Sequence, residues 1–580
     1  MSLLRAIPTL AFFSLLAPAS LAAQASAAPS AARTAAARVP AAERARIDAV
    51  FKAYDKPHVP GCALGVMQNG QLAYGRGYGW AGLERNVPIT TASLFDIGST
   101  SKQFAAASIS LLVQEHKLAY TDDIRKYIPE MPDYGAPITI DNLMRHTSGL
   151  RDYTGLLTLG GHTLEEASTD SQALASIVHQ RHLNFPTGSK YEYSNTGYFL
   201  LSVIIQRVTG KSLADFARER IFLPLGMTST RYRNHAAMLI PNRALGYAPL
   251  DSGGFRNSMS NWEQTGDGAV QLSVRDALEW DENFYHPRVG GTAMVEQLQE
   301  RGRLANGDTI NYARGLEIDR YRGLRRVQHG GDWIGYHTAY SRFPDQHTSV
   351  LIMCNADGIS PTELADKVSD IVLAKSFPEK IVASSPHHDA AASTTASPSA
   401  IPVSRLVGSY YASTTDEVAR IASEGDSLTL GLVGRALPLE ASGPATYAVV
   451  GLPVFVDFLA DGDAPARAVR IRVGSELREE AVRFAAVTPS PEQLQELTGS
   501  YYSPELLVTW PVTLEDGHLV LNKDAGKDED ISGKLEPAMT DSFTAGSGLV
   551  HFTRDASGRV TGFDVSASRM RGIRFDRKAP

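Results

Sequence analysis

The chain has 580 residues, far more than one compact core normally holds, which predicts three or four folding units. Hydrophobic residues make up 43% and charged residues 21%, the usual proportions of a soluble globular protein, and these values exclude wholesale disorder. The formal net charge of −7, from 56 basic and 63 acidic residues, comes without a basic cluster. Neither nucleic acid nor an anionic membrane is therefore favoured as a partner.

The N-terminus has the pattern of a secretory signal. Arg5 supplies the positive charge, residues 7–16 form a short apolar run, and small residues follow, with Ala23-Gln24-Ala25 as a possible cleavage site. We predict a signal peptide over 1–25, a flexible Ala-rich lead-in over 26–41 and a periplasmic or secreted protein. The apolar run is too short to span a bilayer, and no later stretch is long enough, so no membrane span is expected.

Between 42 and 382 the sequence predicts a mixed α/β region. An amphipathic helix over 42–54 precedes a hairpin whose strands flank Asn69-Gly70, a strong turn signal. Residues 102–116 predict a helix and residues 349–354 a buried strand. A hairpin before the helices and strands after them predict one antiparallel sheet with a helical lobe, in an α+β fold.

The C-terminal part begins after a Pro/Ser/Thr/Ala-rich linker over 383–401. The segment LVGSYYAS at 406–413 recurs as LTGSYYSP at 497–504, and each copy opens a series of short alternating strands. We predict two small antiparallel β-barrel modules, over 402–488 and 489–580.

Ser99 and Lys102 form a Ser-x-x-Lys pair where a strand-like segment passes into the predicted helix. The spacing puts both side chains on one face, one turn apart. A serine hydroxyl needs a base to become a nucleophile, and a lysine serves if burial and the helix N-terminus lower its pKa. Thr100 and Ser101 are nearby hydroxyls for which we expect a helix-capping role.

Two further segments carry polar groups suited to a cleft. Tyr193-Ser-Asn195 lies where a loop enters an apolar helix at Tyr198, so that the phenol can move a proton and the amide can orient lysine and substrate. The alternative is a packed tyrosine and an asparagine cap. His329-Gly330-Gly331 follows a predicted strand, and paired glycines let a substrate backbone approach an edge strand, although a lone histidine is often structural.

No cofactor and no metal are expected. The glycine pattern at 77–82 lacks the following helix that a dinucleotide site needs. Cys62 and Cys354 are too few for a four-cysteine zinc site, and His387-His388-Asp389 lies in the linker, where solvated side chains are expected.

With the three motifs in this order, the region from about 42 to 380 resembles the serine β-lactamase-related family, which spans class C β-lactamases, D-alanyl-D-alanine carboxypeptidases, D-aminopeptidases and related esterases. The similarity extends to LMRHTSGL at 143–150, PTGSKYEYSNTGY at 186–198 and FLPLGMTSTRY at 222–232. It implies a penicillin-recognising domain over 42–382, in which His146 is structural.

The resemblance also implies a role for each motif residue. Ser99 would be acylated with Lys102 as base, and Tyr193 would share proton transfer. Asn195 would hold Lys102 and substrate, and His329 would flank the cleft. The backbone N–H groups of Ser99 and Asp332 would form the oxyanion hole.

The chain departs from β-lactamases where they usually carry Lys-Thr-Gly, because His329 stands in place of that lysine and is largely neutral near pH 7. His-x-Gly followed by two barrels is similar to the D-aminopeptidases, in which a barrel loop helps to bind a free amino terminus. Asp524 and the acidic run Asp528-Glu529-Asp530 offer such a loop here, with a solvated acidic turn as the alternative.

The family's sheet places its first strand beside its last, so Cys62 and Cys354 could be neighbours. Export permits a disulfide between them, whereas strand geometry often does not.

The leading interpretation is an exported hydrolase that acts through an acyl-enzyme on small D-amino-acid peptides or amides. A carboxylesterase, a weak β-lactamase or a D-alanyl-D-alanine carboxypeptidase is the alternative within this class, because the catalytic residues do not specify the acyl group. An inactive binding or sensor protein on the same scaffold is the alternative outside it. The expected partner is a small-molecule or short-peptide substrate, and the sequence sets no oligomeric state.

Overall fold

A computed structural model of the chain describes residues 38–378 and 401–579, except 426, 433–434, 451, 453, 474–475, 522–532 and 546–547. The predicted signal peptide, most of the predicted lead-in and nearly all of the predicted linker lie outside these residues. Within them, no helix has the length and apolarity needed to cross a bilayer.

Residues 38–378, called the hydrolase region below after the resemblance stated above, contain thirteen strands. They are β1 (Cys62–Gln68), β2 (Gln71–Tyr78), β3 (Trp80–Gly82), β4 (Val87–Pro88), β5 (Phe95–Asp96), β6 (Arg231–Tyr232), β7 (Tyr247–Pro249), β8 (Phe255–Asn257), β9 (Val270–Leu272), β10 (Glu317–Tyr321), β11 (Leu324–Trp333), β12 (Tyr336–Phe343) and β13 (Thr348–Cys354).

The α-helices of this region surround its main sheet. They are α1 (Ala41–Val50), α2 (Lys102–Gln114), α3 (Ile140–Met144), α4 (Tyr153–Leu159), α5 (Asp170–Val178), α6 (Asn195–Thr209), α7 (Leu213–Ala217), α8 (Leu223–Leu225), α9 (Val274–Glu282), α10 (Gly291–Leu298) and α11 (Pro361–Val372). Short 3₁₀ turns cover Gly98–Ser101, Ile124–Lys126 and Pro344–Gln346, and a π-helical turn covers Arg218–Phe222.

The main sheet is six-stranded and antiparallel, in the order β10-β11-β12-β13-β1-β2. The predicted hairpin is confirmed: Asn69 and Gly70, with φ of 50° and 72°, join β1 to β2. Two positive φ values in a two-residue loop match the twist of the flanking strands, which is why Asn-Gly suits this turn.

The first and last strands of this region are neighbours, in a register that pairs Cys62 with Cys354. The structure joins the two cysteines by a disulfide across 292 residues of sequence. Both sulfur-bearing residues are fully buried, so the bond lies inside the core.

Both faces of the sheet are covered, because alternate residues of a strand point to opposite faces. On one face, Cys62, Leu64 and Val66 pack in a cluster with side chains of α1 and α11. On the other, Ala63 and Met67 join a larger cluster with α2 and α6. This second cluster is the helical lobe, and it fixes α2, which carries Lys102, against the sheet.

The C-terminal part consists of two barrel-like modules. In the first barrel, a short helix α12 (Val403–Leu406) precedes strands that close on themselves: β14 (Gly408–Ala412), β15 (Glu417–Glu424), β16 (Ser427–Leu432), β17 (Arg435–Ala441), β18 (Thr446–Val449), β19 (Val454–Leu459), β20 (Ala468–Val473) and β21 (Glu476–Phe484).

In the second barrel, helix α13 (Pro491–Leu497) precedes a nearly closed nine-stranded sheet whose two edge strands, β25 and β26, are separated in the chain by Leu535 alone. Its strands are β22 (Gly499–Ser503), β23 (Val508–Glu515), β24 (His518–Leu521), β25 (Gly533–Lys534), β26 (Glu536–Met539), β27 (Ser542–Ala545), β28 (Gly548–Arg554), β29 (Val560–Ala567) and β30 (Met570–Arg577).

The repeated segment has the same structural role in both modules. The hydroxyl groups of Tyr410 and Tyr501 are buried, and each donates a hydrogen bond of 2.7 Å to the carbonyl four residues earlier, in Leu406 and Leu497. Each bond ties the first strand to the helix before it. The predicted fold class, an α+β domain followed by two antiparallel barrel-like modules, is confirmed.

The second barrel packs directly on the hydrolase region. Leu156 and Leu159 of α4 belong to the hydrophobic cluster of the second barrel. Beside them, Arg151 and Glu505 form an ion pair whose side chains are only 1% and 0% exposed. Buried apolar and charged contacts together bring the β29–β30 hairpin up to the hydrolase region.

Candidate active site

Ser99 lies in the 3₁₀ turn Gly98–Ser101, which leads directly into α2. Gly98 has φ of +47°, and a Cβ there would lie 3.0 Å from the backbone nitrogen of Asp332. The Asp96 carboxylate accepts a hydrogen bond of 2.9 Å from the Gly98 N–H and fixes this tight turn. Ser99 remains half-buried at the pocket surface while residues 98, 100 and 101 are buried.

The capping role expected for Thr100 and Ser101 is wrong. The Thr100 hydroxyl donates to the His329 carbonyl at 3.2 Å, and the Ser101 hydroxyl accepts from the Val270 N–H at 3.1 Å. Ser101 occupies the N-cap position of α2, but its side chain makes no capping hydrogen bond. Both hydroxyls instead tie the turn to neighbouring strands.

Lys102 is fully buried, and its Nζ has three oxygen neighbours. They are the Asn195 Oδ1 at 2.9 Å, the Asp267 carbonyl at 2.8 Å and the Ser99 Oγ at 3.0 Å. The first two can only accept hydrogen bonds, so they take the two N–H bonds of a neutral amine. The remaining lone pair then faces the Ser99 hydroxyl and can take its proton.

Burial lowers the pKa of Lys102 to about 7, against the opposing effect of the Asp267 and Asp152 carboxylates. Near neutral pH a large fraction of Lys102 is therefore unprotonated, as a general base must be. The geometry and the protonation state agree on the same role.

Tyr193 lies against this pair. Its ring is 4.8 Å from the Lys102 Nζ and packs on the His146 imidazole with ring centroids 4.2 Å apart. Burial raises the pKa of Tyr193 well above its usual value, and the Ser99 hydroxyl opposes this only in part. Tyr193 is therefore a neutral phenol, suited to donate a proton and unsuited to act as a phenolate base.

Asn195 is the first residue of α6, which begins three residues earlier than the predicted start at Tyr198. Its side-chain oxygen accepts from Lys102, so it orients the base and is not simply a helix cap. Its backbone N–H donates to the Asp152 carboxylate at 2.8 Å. Asp152 thus holds Asn195, and Asn195 in turn holds the lysine.

His329, Gly330 and Gly331 lie inside β11 and not after it, because the strand continues to Trp333. The His329 ring is buried between the Tyr312 hydroxyl, 2.9 Å from Nε2, and the Gly330 carbonyl, 2.5 Å from Nδ1. Burial lowers the pKa of His329 to about 4, with the Lys102 charge as a second cause. His329 is accordingly neutral at physiological pH.

The two glycines have different surroundings. A Cβ on Gly331 would lie 2.0 Å from the Ile97 carbonyl, so only glycine lets β11 approach the Ser99 turn. Gly330 is exposed, and a Cβ there would meet the Thr338 carbonyl at an ordinary 3.7 Å. Of the two glycines, Gly330 alone has open space beside it, and the approach of a substrate backbone there remains a prediction.

Asp332 follows the glycines, and its backbone nitrogen lies beside Gly98, close to the Ser99 turn. Its side chain is 82% exposed and contacts the His337 Nδ1 at 2.7 Å. Against the effect of burial, Asp332 and Asp357 raise the pKa of His337 to about 9, so the contact is an ion pair. The structure thus brings together the two backbone segments predicted to form the oxyanion hole.

All the predicted site residues except the buried Lys102 and Gly331 line one pocket of about 440 Å³. Four other residues at or near it were missed by the sequence analysis: Asp152, Asp267, Tyr312 and Arg569. The glycine-flanked Gly266-Asp267-Gly268 segment is a sequence signal that could have found Asp267, whose pKa burial raises to about 6. Asp152 and Arg569 carried no such signal.

Arg569 comes from the second barrel, at the turn between β29 and β30, and it lines the pocket. Its guanidinium is 3.2 Å from the Asp152 carboxylate. The acidic loop predicted to bind an amino group, Asp524 and Asp528-Glu529-Asp530, lies outside the described residues. The barrel residue that the structure places in the pocket is thus a cation.

Comparisons with known proteins agree with this geometry. The family model described as Beta-lactamase matches residues 47–374. Penicillin-binding protein 4* of Bacillus subtilis (strain 168) is 31% identical over 460 residues, which cover 76% of this chain and 99% of that protein. The D-aminopeptidase of Brucella anthropi is 25% identical over 549 residues, which cover 90% of this chain and 96% of that one.

Among solved structures, the octameric penicillin-binding protein homologue of Pyrococcus abyssi has a TM-score of 0.53 at 21% identity, over 76% of this chain and 99% of its own. The D-amino acid amidase of Ochrobactrum anthropi SV3 has a TM-score of 0.50 at 23% identity, over 58% of this chain and 99% of its own. These two likenesses support the fold. The chain belongs to the Beta-lactamase family and is a serine hydrolase related to penicillin-binding proteins and D-aminopeptidases.

Proposed function

We propose that this protein is an exported hydrolase that cleaves small D-amino-acid peptides or amides through an acyl-enzyme on Ser99. The observation that carries the proposal is the environment of Lys102, whose two carbonyl acceptors leave its lone pair directed at the Ser99 hydroxyl. D-Aminopeptidases at 25% and 28% identity, the former matching 90% of this chain, support the substrate class.

In the acylation step, Lys102 takes the Ser99 proton as the oxygen attacks the carbonyl carbon of the substrate. The negative charge on the carbonyl oxygen would be stabilised by the backbone N–H groups of Ser99 and Asp332. The neutral Tyr193 phenol can protonate the leaving amine and recover its proton from Lys102. In the second step, Lys102 takes a proton from the water that attacks the acyl-enzyme. The proton passes from Lys102 to the Ser99 oxygen as the ester bond breaks, so that the acid leaves and the free hydroxyl is restored.

The pocket favours small substrates, since its volume of about 440 Å³ lies in the lower half of the usual range for small-molecule sites. The neutral His329 supplies no permanent charge for a substrate carboxylate at the position where β-lactamases carry lysine. This supports a substrate that is not held by a carboxylate at this position, such as an amide, over a β-lactam.

A carboxypeptidase or weak β-lactamase activity is the second candidate, and one observation favours it. Arg569 places a guanidinium in the pocket, and a guanidinium is suited to pair with a carboxylate.

Export is supported by the N-terminal pattern and by the buried Cys62–Cys354 disulfide, since such bonds persist mainly in oxidising compartments. Secretion of the full-length chain with loss of about its first 25 residues, read by N-terminal sequencing, tests this part. Retention of an uncleaved chain in the cytoplasm would contradict it.

The substrate is tested by comparing the wild type with Ser99→Ala on matched D- and L-amino-acid amides, short-chain esters, D-alanyl-D-alanine peptides and a chromogenic cephalosporin. We expect turnover of D-amino-acid amides, little turnover of the L-enantiomers and no activity of the variant. Activity on esters alone would refute the peptidase assignment. Failure of a fluorophosphonate to phosphonylate Ser99 and of penicillin to acylate it would favour the binding-protein alternative.

A further inference from the structure

The hairpin between β29 and β30 carries its tip from the second barrel to the base of the active site. Ser568, at the turn, has φ of +49°. The backbone carbonyl of the next residue, Arg569, accepts hydrogen bonds from the Asp152 N–H at 3.3 Å and from the Asn184 side chain at 2.8 Å. The position of Arg569 is therefore fixed by its backbone, independently of its side chain.

The guanidinium of Arg569 contacts two parts of the site. One terminal nitrogen lies 3.2 Å from the Asp152 Oδ2 and 3.4 Å from the Tyr193 carbonyl, and the guanidinium carbon lies 5.6 Å from the centre of the Tyr193 ring. The Asp152 side chain is only 2% exposed, whereas that of Arg569 is 34% exposed. A buried carboxylate is thus paired with a cation from another module.

Asp152 is two contacts away from the catalytic base. Its Oδ2 accepts from the Asn195 N–H at 2.8 Å, and the Asn195 side chain accepts from Lys102 at 2.9 Å. Its Oδ1 accepts from the Thr154 N–H and hydroxyl. Although burial acts to raise the pKa of Asp152, Arg569 and these donors hold it below its usual value, so the carboxylate is ionised.

The charge on Lys102 depends on the groups around it. The two histidines that face it are neutral because burial lowers their pKa, and the two tyrosines are neutral because burial raises theirs. The charged or titrating groups are the Asp267 and Asp152 carboxylates, which raise the pKa of Lys102, and Arg569, which lowers it. In the part of the chain that the structure describes, the titratable and charged groups that face Lys102 are Asp267, Asp152, Arg569, Tyr193, Tyr198, His146 and His329.

We propose that Arg569 is a positioning residue of the active site, which the second barrel supplies to neutralise Asp152 and so to keep Lys102 as an unprotonated base held by Asn195. Arg569 transfers no proton, and its effect on Lys102 passes through Asp152 and the local charge. This inference rests on the serine-hydrolase chemistry and is independent of which substrate is used.

The test is the pH dependence of Ser99 labelling by a fluorophosphonate, which follows the base without requiring a known substrate. In Arg569→Gln the carboxylate of Asp152 loses its cation, so we expect the acidic limb of the labelling rate to move upward by about one pH unit. The rate should fall about fivefold at pH 7 and return to near the wild-type value at about pH 9.

Three further variants separate the effect of charge from an effect on folding. Arg569→Lys keeps the charge, so the acidic limb of the labelling rate should stay at its wild-type pH. Asp152→Asn removes the opposite charge, so the limb should move to lower pH, and the double variant Arg569→Gln/Asp152→Asn should return toward the wild type.

Arg571→Gln removes side-chain contacts of the same hairpin, with the Glu192 carboxylate at 2.8 Å and the Thr415 carbonyl at 3.0 Å. It leaves the backbone hydrogen bonds that position Arg569, so the acidic limb should stay in place. Arg574→Gln, whose guanidinium contacts Asp576 and Thr553 within the barrel, is the matched arginine control.

An unshifted limb in Arg569→Gln would overturn the proposal. So would an equal loss at every pH, which indicates a structural role, or the same shift in Arg571→Gln or Arg574→Gln. Absence of labelling in the wild type at any pH would instead contradict the acyl-enzyme chemistry itself.

Discussion

Arg151 and Glu505 make the most strongly buried ionic contact between the hydrolase region and the second barrel that is visible in the described residues, with side chains only 1% and 0% exposed. Arg151 also donates to the Gln180 side chain at 2.8 Å, the Arg571 carbonyl at 2.8 Å and the Gly572 carbonyl at 2.9 Å. The last two carbonyls belong to β30, next to the hairpin tip that carries Arg569. The perturbation is Arg151→Met, which keeps much of the volume and removes the charge.

The magnitude follows from what the substitution leaves behind. Glu505 would be a buried carboxylate without its cation, and breaking a buried pair in this way costs about 3–5 kcal/mol. Glu505→Leu should cost less, about 1–3 kcal/mol, because Arg151 keeps its carbonyl acceptors. In Arg151→Met/Glu505→Leu no buried charge remains, so the loss should fall short of the sum of the single losses by at least about 1 kcal/mol.

The assay is urea unfolding followed by tryptophan fluorescence, which includes Trp510, a residue buried in the second barrel. Activity at low urea should fall along with stability in Arg151→Met, because β30 loses its hydrogen bonds from Arg151 and the hairpin that carries Arg569 is held less firmly. The partly exposed pair Arg574–Asp564, at 3.5 Å within the barrel, gives a matched control whose removal should cost less than about 1 kcal/mol. A loss of unfolding free energy below about 1 kcal/mol in Arg151→Met, or strictly additive losses in the double variant, would contradict the coupling of Arg151 and Glu505 as a buried ion pair.

Three further predictions concern the site and the core. Asp267→Asn removes a buried carboxyl group that raises the pKa of Lys102. The acidic limb of kcat/KM, near pH 7 in the wild type, should therefore move to lower pH. An upward shift would contradict the effect assigned to the Asp267 carboxylate. Tyr193→Phe should lower kcat/KM by about 10²–10⁴-fold. Tyr312→Phe removes a hydroxyl that is hydrogen-bonded to His329, and it should lower kcat/KM clearly less. Equal losses of kcat/KM in the two variants would argue against proton transfer by Tyr193. Thiol titration of the denatured protein should find two thiols only after reduction, and two thiols without reductant would rule out the disulfide. The double variant Cys62→Ser/Cys354→Ser should lower the free energy of unfolding by about 2–5 kcal/mol.

The sequence was sufficient where function depends on local spacing. Ser99 and Lys102 lie one helical turn apart, and Asn69-Gly70 fixes its hairpin through its own backbone preferences. The order of the motifs, with the family resemblance, then brought Tyr193, Asn195 and His329 into one site before any contact among them was known.

The sequence was insufficient where partners come from distant parts of the chain. The Lys102–Asp267 contact spans 165 residues, and the contacts of Arg151 with the second barrel span 354 and 420 residues. No periodicity or spacing rule relates residues so far apart, and Asp152 and Arg569 were therefore not predicted as site residues. The helix-capping assignment of Thr100 and Ser101 failed for the same reason, since their partners are on β9 and β11.

Trapping the acyl-enzyme shows directly whether Ser99 becomes acylated during turnover. The protein is mixed with a D-amino-acid amide, quenched in acid within one turnover and analysed by mass spectrometry of its peptides. We expect an adduct of the acyl group on the peptide that contains Ser99, its absence in Ser99→Ala and its very slow formation in Lys102→Ala. Product release without any adduct, or an adduct on another residue that persists in Ser99→Ala, would contradict it.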